Sequence, residues 1–282
     1  MKVFHAQSQL KQHLQAFIQA KQTIGFVPTM GAIHKGHLSL LQQAMKENDV
    51  VVMSIFVNPT QFNNSEDLAK YPRTLEKDLG LIEALSDKII VYAPTVDDIY
   101  EGNTVAQPFD YDGLDNEMEG SNRPGHFNGV GTIVKKLFEI TQPTKAYFGE
   151  KDFQQLQIIR KMVEKSNMNI DVVGCPIFRE ANGLAMSSRN ERLSAQAKDK
   201  AALIYKTLKA AKTVFSEKDV KDSVNFVADA FKNETDFTLE YFIIADEASL
   251  KTATEKETDK NYRAFIVVHI EGVRLIDNIT LN

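Results

Sequence analysis

Near its N-terminus the chain reads Phe26-Val-Pro-Thr-Met-Gly-Ala-Ile-His-Lys-Gly-His-Leu-Ser-Leu40, and the rest of the predicted architecture extends from this stretch. The apolar run at 24–27 predicts a short buried strand that Pro28 ends, and from His37 apolar residues recur at helical spacing. His34 and His37 therefore lie where a strand passes into a helix. Because a helix N-terminus presents free backbone N–H groups and a positive dipole, this turn favours phosphate.

Short apolar runs alternate with helical patterns through the N-terminal part of the chain. The predicted strands are 24–27, 50–57, 88–92, 145–148 and 170–173. This alternation predicts an α/β fold with a Rossmann-like, doubly wound parallel sheet. After Arg179 the pattern changes to two helices followed by alternating strands and a hairpin turn at Glu271-Gly272. We therefore predict a Rossmann-like domain at 1–179, and a hinge with a smaller C-terminal α+β domain at 180–282.

Local signals predict the ends of several elements. Ser8 and Ser194 are predicted to cap helices, and the second of these helices is expected to run to about Phe215. Residues 94–128 are rich in glycine, proline, asparagine and aspartate. A loop of that length in a compact domain is more often functional than idle. Cys175 is expected to be a small core residue at a strand end.

Composition and charge narrow the class of protein. The chain has 282 residues, of which 43% are hydrophobic and 25% charged, as is ordinary for a soluble globular protein. We expect no membrane span and no signal peptide, because neither kind of apolar run is present. A single cysteine cannot form an internal disulfide, which favours a cytoplasmic location. A net charge of −5 argues against nucleic acid as a partner, so cations that hold a nucleotide must be gathered locally in a cleft.

Four polar stretches are expected to converge on one cleft. The H-x-G-H turn at 34–37 ends the first predicted strand, and residues 58–62 end the second. Residues 149–152 end the fourth strand and open a helix, and residues 186–190 lie at the domain junction. Ligands of open α/β sheets bind outside the carboxyl ends of the strands. This placement predicts a binding site built from all four.

Blander interpretations of these residues stay open at this point. The two histidines could be zinc ligands, although no cysteine or acidic cluster nearby completes a tetrahedral site. They could also be solvated surface residues, although the intervening Gly36 costs about 1 kcal/mol in a helix unless something requires it. The residues that could be ordinary surface, hinge or capping groups are Lys151, Asp152, Ser187, Ser188, Gln61 and Gln155.

Six motifs spread over the chain are informative together. They are Pro28-Thr-Met-Gly-Ala-Ile-His-Lys-Gly-His37, Phe56-Val-Asn-Pro-Thr-Gln-Phe62, Tyr71-Pro-Arg-Thr-Leu-Glu-Lys-Asp78, Arg123-Pro-Gly-His-Phe127, Phe148-Gly-Glu-Lys-Asp-Phe-Gln-Gln155 and Met186-Ser-Ser-Arg-Asn190. With them the chain resembles the pantoate–β-alanine ligase family of the nucleotidyltransferase superfamily. The resemblance weakens after about residue 195. It implies a nucleotide- and pantoate-binding domain, a C-terminal lid domain and a homodimer.

The resemblance also implies a magnesium-dependent reaction in two steps. ATP and (R)-pantoate give pantoyl adenylate and pyrophosphate, and the amine of β-alanine then displaces AMP to give pantothenate. By motif, Gln61 would contact pantoate and β-alanine, and Gln155 would contact pantoate. His37 would donate a proton and, with His34, Lys151 and Arg189, would neutralise charge as pyrophosphate leaves. Magnesium would bridge phosphate oxygens, and its protein ligands stay undetermined.

A larger set of residues is predicted by the same resemblance to bind ATP. Position 178 is usually valine in the family and contributes through its backbone. Phe178 is compatible with that backbone role, but the sequence does not decide how the larger side chain packs. Phe153 and Asn182 stand where tyrosine and aspartate are common. The predicted ATP-binding residues are Met30, Gly31, Ala32, Ile33, His34, Lys35, Gly36, His37, Gly149, Glu150, Lys151, Asp152, Phe178, Met186, Ser187, Ser188 and Arg189.

Three rival functions stay open on the sequence. A nucleotidyltransferase of coenzyme synthesis that leaves the nucleotide on its product would share H-x-G-H but lack the Asn-Pro-Thr-Gln-Phe and Arg-Pro-Gly-His-Phe segments. An aminoacyl-tRNA synthetase would need a tRNA-binding domain and a basic surface. A non-catalytic nucleotide sensor would form no AMP, which an assay decides.

Overall fold

The computed structural model describes residues 1–282, apart from the side chain of Asp67. The chain forms two compact units, one of residues 1–150 and 154–176 and one of residues 151–153 and 177–282. Every helix in the described part of the chain is too short or too polar to cross a membrane.

The first unit is built on a parallel six-stranded sheet. Its strands are β1 (Lys2–Phe4), β2 (Ile24–Thr29), β3 (Val50–Ile55), β4 (Ile90–Tyr92), β5 (Lys145–Gly149) and β6 (Asp171–Cys175). They lie in the order β1-β4-β3-β2-β5-β6, so the strand order reverses between β2 and β5. The predicted doubly wound α/β fold is confirmed. The carboxyl ends of β2 and β5 mark the switch point at which such sheets bind ligands.

Helices pack against the strands of this sheet, and the described residues also form four short 3-10 turns. The helices that begin in residues 1–153 are α1 (Gln7–Gln19), α2 (Lys35–Glu47), α3 (Ser65–Lys70), α4 (Leu75–Leu85), α5 (Val96–Tyr100), α6 (Met118–Asn122), α7 (His126–Thr141) and α8 (Phe153–Lys165). The turns are Pro59–Gln61, Leu114–Asn116, Glu150–Asp152 and Ser188–Arg192. Three of these turns contain residues that the sequence predicts to bind substrate.

The second unit has the predicted α+β character. Its helices are α9 (Ala195–Lys200), α10 (Ala202–Glu217) and α11 (Val220–Lys232), and its strands are β7 (Phe237–Asp246), β8 (Tyr262–Ile270) and β9 (Val273–Thr280). The strands form an antiparallel sheet in chain order, and apolar residues of the helices and the sheet share one core. Glu271 and Gly272 have φ values of 50° and 70°, so the predicted hairpin turn has two left-handed residues, as tight hairpins require.

Two strand predictions were wrong. The sequence missed β1, which has three residues and pairs with β4, because so short a segment shows no periodicity. Pro28 does not end β2, which continues to Thr29 with Pro28 opposite Ser54 of β3. On its other side β2 pairs with β5 at Gly25 and Phe26, before Pro28 is reached. Proline is tolerated where no neighbouring strand needs its missing N–H group.

Two helix predictions also needed correction. Ser8 does not cap α1, which begins at Gln7 with Ala6 at its N-cap. Ser194 does cap a helix, since its hydroxyl accepts a hydrogen bond from the Ala197 N–H group at 3.1 Å. That helix ends at Lys200, and α10 begins after Ala201, so the single long helix is two. Neither glycine nor proline marks this break in the sequence.

Cys175 ends β6 and is buried, as predicted. Burial raises the pKa of its thiol to about 11. At neutral pH the side chain is therefore an uncharged, unreactive part of the core.

We predict that two helical glycines respond oppositely to alanine. A Cβ atom on Gly129 of α7 would lie 2.2 Å from the Thr60 carbonyl oxygen in the turn that carries Gln61. Gly129→Ala should therefore cost about 1–3 kcal/mol of unfolding free energy and displace that turn.

Gly80 of α4 is the matched control, because among the described atoms none lies within 4 Å of an added Cβ. Gly80→Ala should raise stability by up to about 1 kcal/mol. Urea unfolding of both variants measures the difference. Equal stabilities would mean that α7 and the Pro59–Gln61 turn do not pack as closely as the structure shows.

Candidate active site

The turn between β2 and α2 is held by a buried carboxylate. Asp78, with 1% of its surface exposed, accepts hydrogen bonds from the N–H groups of Ala32 at 3.0 Å and Ile33 at 2.8 Å. Gly31 and Ala32 have φ values of 89° and 50°. A Cβ on Gly31 would also approach the Asp78 carboxylate to 3.1 Å, so this position favours glycine on two counts. The backbone reversal directs the chain from the strand into the helix.

The two histidines of the H-x-G-H motif form the start of α2. The helix begins at Lys35, two residues before the predicted start, because His34 is its N-cap. His34 Nδ1 accepts from the Gly36 N–H group at 3.1 Å, and His37 Nδ1 accepts from the His34 N–H group at 3.4 Å. The rings stack with their centroids 4.0 Å apart. Since both Nδ1 atoms accept, each neutral ring carries its proton on Nε2. Both histidines can therefore donate a hydrogen bond through Nε2 without carrying a positive charge.

A chain of hydrogen bonds sets the orientation of the Gln61 amide. The Tyr100 hydroxyl donates to Asn58 Oδ1 at 2.6 Å, and Asn58 Nδ2 donates to Gln61 Oε1 at 3.2 Å. Gln61 Nε2 in turn lies 2.9 Å from Met30 Sδ. Asn58 is 1% exposed and also donates to the Gly129 carbonyl, so its own orientation is fixed. Gln61 therefore presents its NH₂ group, and not its oxygen, beside the H-x-G-H turn.

The main chain of Gln61 is held by the Arg-Pro-Gly-His-Phe motif. His126, which is buried, makes a hydrogen bond of 2.7 Å through Nδ1 to the Gln61 carbonyl oxygen. Arg123 lies 3.2 Å from His126 Nε2 through Nη1 and donates to the same carbonyl at 3.4 Å through Nη2. This motif thus supports the turn that carries Gln61.

The remaining predicted residues of the first unit are near strand ends. Gly149 ends β5 and Glu150 begins the following turn. Gln155 is half-buried in the first turn of α8. Its neighbour Gln154 is buried and donates to the carbonyls of Leu114 and Glu117, which ties α8 to the loop at 114–119.

Lys151 and Asp152 belong by packing to the second unit. The Lys151 side chain is 15% exposed, and its ammonium group lies 3.8 Å from the Asp152 carboxylate. The Lys151 carbonyl accepts a hydrogen bond of 2.9 Å from Asn278 Nδ2. The Lys151 side chain therefore extends from a main chain that is held in place, and most of its surface is shielded from water.

The segment around Arg189 is ordered by its own polar groups. The Ser187 hydroxyl accepts from the Arg189 N–H group at 3.2 Å and caps the Ser188–Arg192 turn. The Phe178 carbonyl accepts from the Met186 N–H group at 2.9 Å, while the Phe178 ring is 38% exposed. With phenylalanine at position 178 the main-chain hydrogen bond to Met186 is therefore retained, and the larger ring is accommodated at the surface and not in the core.

These residues divide between the two units. Within the first unit, Gln61 of the second stretch contacts Met30, which lies in the turn that precedes the H-x-G-H residues. The convergence of all four on one cleft stays a prediction. Within the described residues, no group of three or more histidine, cysteine, aspartate or glutamate side chains could hold a metal ion, so the alternative of zinc at His34 and His37 has no third ligand.

Comparisons of the sequence and of the structure with known proteins point to the same family. The profile of the Pantoate-beta-alanine ligase family matches residues 2–280. The chain belongs to this family.

Its relatives resemble it over their full lengths. It is 59% identical over 281 residues to the pantothenate synthetase of Flavobacterium psychrophilum and 53% identical over 282 residues to that of Christiangramia forsetii, with all of both chains covered in each case. The crystal structure of pantothenate synthetase from Thermus thermophilus matches with a TM-score of 0.90 and 36% identity, covering 100% of this chain and 99% of that one. The ligase from Francisella tularensis, complexed with beta-gamma ATP and β-alanine, matches with a TM-score of 0.80 and 35% identity, covering 100% and 98%.

Family membership decides between the functions that the sequence left open. The full-length match favours the ligase over a nucleotidyltransferase, a tRNA synthetase or a nucleotide sensor. The site residues carried over by motif stay predictions, and the geometry adds supporting residues that sequence reasoning missed. Three of these lay inside the quoted motifs without an assigned role, Tyr100 lay in the segment predicted to be functional, and Asn278 lay where the resemblance weakens. The missed residues are Asp78, Asn58, His126, Tyr100 and Asn278.

We predict that Tyr100→Phe weakens the use of pantoate. Without the hydroxyl, Asn58 Oδ1 keeps only the longer bond of 3.2 Å from Thr60 Oγ1, and the Gln61 amide is less firmly oriented. A net hydrogen bond contributes about 1 kcal/mol, so kcat/KM for pantoate should fall roughly fivefold while KM for ATP changes little.

Tyr111→Phe is the matched control, because Tyr111 is equally buried and its hydroxyl donates to the Phe127 carbonyl at 2.9 Å. Steady-state kinetics with each substrate varied separately make the measurement. If both tyrosine variants lose pantoate efficiency alike, the effect comes from general loosening and not from the Gln61 amide.

Proposed function

We propose how this member of the family performs its reaction, the ATP-dependent condensation of (R)-pantoate with β-alanine to give pantothenate, AMP and diphosphate. The observation that supports the proposal most directly is the short distance between Gln61 Nε2 and Met30 Sδ. The amide suited to a carboxylic acid thus adjoins the turn suited to a nucleotide. This adjacency is what transfer of an adenylyl group to an acid requires.

In the first step, a pantoate carboxylate oxygen attacks the α-phosphorus of ATP and the bond to pyrophosphate breaks. The Nε2–H groups of His34 and His37 donate to phosphate oxygens at the helix N-terminus, where the dipole adds to their effect. Lys151 and Arg189 offset the charge that develops on the leaving pyrophosphate. The attack needs positioned donors more than covalent help from the protein.

Magnesium enters this scheme with the nucleotide as part of the substrate. Mg²⁺ commonly keeps several waters and binds through substrate phosphates with one or two carboxylates. The predicted ATP-binding segment offers Glu150 and the half-exposed Asp152, which fits a metal held mainly by phosphate. When bound with the nucleotide, the ion would reduce the negative charge of the phosphate groups.

In the second step, the amine of β-alanine attacks the acyl carbon of pantoyl adenylate. The new C–N bond replaces the bond between the acyl carbon and the AMP oxygen, AMP leaves with the electron pair of that bond, and the proton lost by the amine nitrogen passes to water. Gln61 contacts both acids in this proposal, because its NH₂ group can donate to a carboxylate without adding charge next to the neutral acyl group. Gln155 would bind pantoate, and both glutamines belong to the first unit.

The proposal has two further parts that follow from the family resemblance. We propose a homodimer and a cytoplasmic location. The buried, uncharged Cys175 is compatible with a reducing compartment. Analytical ultracentrifugation of the full chain tests the dimer.

We predict that the enzyme exchanges labelled pyrophosphate into ATP when pantoate is present and β-alanine is absent. A free-standing adenylate makes the first step reversible, so label should enter ATP only with pantoate. Addition of β-alanine should then release AMP and pantothenate in equal amounts. A product that retains the nucleotide, or magnesium-loaded enzyme without exchange, would contradict the proposed sequence of steps.

We predict that Gln61→Glu separates the acid site from the nucleotide site. The substitution is nearly isosteric but sets a negative charge beside the incoming carboxylate. Two unit charges 4 Å apart repel by about 4 kcal/mol at an effective dielectric near 20, so kcat/KM for pantoate should fall on the order of 100-fold or more. The defect should ease at acidic pH as the new glutamate takes up a proton.

The control for added charge is Gln42→Glu on the exposed part of α2. ATP and pantoate should be titrated separately into both variants, and Gln42→Glu should behave as the wild type. Loss of ATP affinity in Gln61→Glu with normal pantoate kinetics would assign Gln61 to the nucleotide site.

A further inference from the structure

Lys151 and its two following residues pack with a part of the chain distant in sequence. Gly149 and Glu150 belong to the first unit, whereas Lys151–Phe153 belong to the second. The segment lies between β5 and the main part of α8, in the Glu150–Asp152 turn and the first residue of the helix. Side chains from the rest of the second unit contact both of its ends.

Strand β9 and its neighbour β8 supply those groups. Asn278 of β9, with 1% of its surface exposed, donates from Nδ2 to the Lys151 carbonyl at 2.9 Å. The Phe153 ring packs 6.0 Å from the Phe265 ring, and the Arg263 guanidinium lies 3.9 Å from the centre of the Phe153 ring. One hydrogen bond and one buried ring thus fix both ends of the segment.

The amide of Asn278 can point in only one direction. Arg263 Nη1 donates to Asn278 Oδ1 at 2.6 Å, and a guanidinium group cannot accept a hydrogen bond. The oxygen of the amide must therefore face Arg263, and the nitrogen must face Lys151. Arg263 is itself held by Glu247, whose carboxylate lies 2.8 Å from Nε.

The main chain of Asn278 is fixed by a second ion pair. Its N–H group donates to the Asp277 carboxylate at 2.8 Å, and Asp277 binds Arg179 through two bonds of 2.7 and 3.0 Å. Burial raises the pKa of the Asp277 carboxyl, and the Arg179 guanidinium opposes that rise. The Arg179 guanidinium also stacks 3.6 Å from the centre of the Tyr205 ring.

Two ion pairs in so buried a position are a poor way to gain stability, because desolvation offsets most of their attraction. Their geometry instead serves a definite end, since both converge on Asn278 and through it on one backbone carbonyl. A network of satisfied polar groups rigidifies the element that it holds. The residue that benefits here is Lys151.

We propose that Asn278 is a positioning residue for the adenylation step and acts through Lys151. By holding the Lys151 carbonyl, Asn278 sets the direction in which the lysine side chain leaves the backbone. The inference rests on the proposed role of Lys151 at the pyrophosphate. It assigns a part in the reaction to the last strand of the chain.

The test compares Asn278→Ala with the wild type in pantoate-dependent pyrophosphate exchange. The rate constant should fall about tenfold or more, while KM for pantoate stays within about twofold, because only the transition-state contact of Lys151 is disturbed. In a Lys151→Ala background the same substitution should change the rate by less than about twofold. Asn278→Asp, which keeps the acceptor for Arg263 but removes the donor, should reproduce the loss if the alanine variant does not fold.

Asn282→Ala provides the matched control. Asn282 Nδ2 donates to the Lys260 carbonyl at 3.0 Å and its Oδ1 accepts from the Tyr262 N–H group at 2.7 Å, so the control removes an amide donor and an amide acceptor four residues after Asn278, past the end of β9. Its exchange rate should equal that of the wild type. Thermal unfolding of every variant separates loss of fold from loss of positioning.

Hydrogen exchange of the 150–155 amides supplies a readout without turnover. Asn278→Ala should speed exchange there while the remainder of β5 and α8 keeps its protection. A folded Asn278 variant with the wild-type rate, an equal loss in the Lys151→Ala background, or unchanged amide protection would each overturn the inference. Failure of the proposed function has a different signature, since the wild type itself would then show no pantoate-dependent exchange.

Discussion

The first unit depends on a carboxylate that is buried against backbone N–H groups. Asp78 receives the N–H groups of Ala32 and Ile33 and the Thr74 hydroxyl. A buried carboxylate is stable when it accepts several hydrogen bonds. Backbone in the left-handed conformation directs successive N–H groups toward one point, where such a carboxylate can accept from them. The turn can therefore reverse the chain directly after β2. His34 becomes the helix cap, and the two imidazole rings stack at the helix N-terminus as a consequence.

The two units use different chemistry to orient their polar residues. In the first unit, a series of hydrogen bonds between neutral hydroxyl and amide groups runs from Tyr100 through Asn58 to Gln61. In the second, ion pairs around Asp277 and Arg263 fix the main chain next to Lys151. A neutral chain suits the proposed role of Gln61, which would bind acids without repelling them. An ionic network suits the proposed role of Lys151, whose charge would have to stay in one place.

The sequence predicted the parts of the fold that periodicity or turn chemistry specify. The buried run of β3, the hairpin at Glu271-Gly272 and the turn before α2, which is predicted to bind phosphate, were all visible as patterns. It missed β1, which is too short for a pattern, and the break at Ala201, where no residue type signals it. The carry-over by motif supplied the proposed ligands. It could not supply the residues that orient them, because those act through contacts between segments distant in sequence.

Amide orientation shows why that limit is physical. Asparagine and glutamine can donate or accept at either end, so their residue type does not decide which group a ligand meets. The choice at Gln61 follows from Asn58, whose NH₂ group must face the acceptor-only Gly129 carbonyl, and Tyr100 completes that arrangement by donating to Asn58 Oδ1. The choice at Asn278 is made by Arg263 on the neighbouring strand, which can only donate. In both cases a group with one available role imposes it on a group with two. Specificity for a carboxylate or for a backbone carbonyl is therefore a property of the folded network and cannot be assigned to the amide alone.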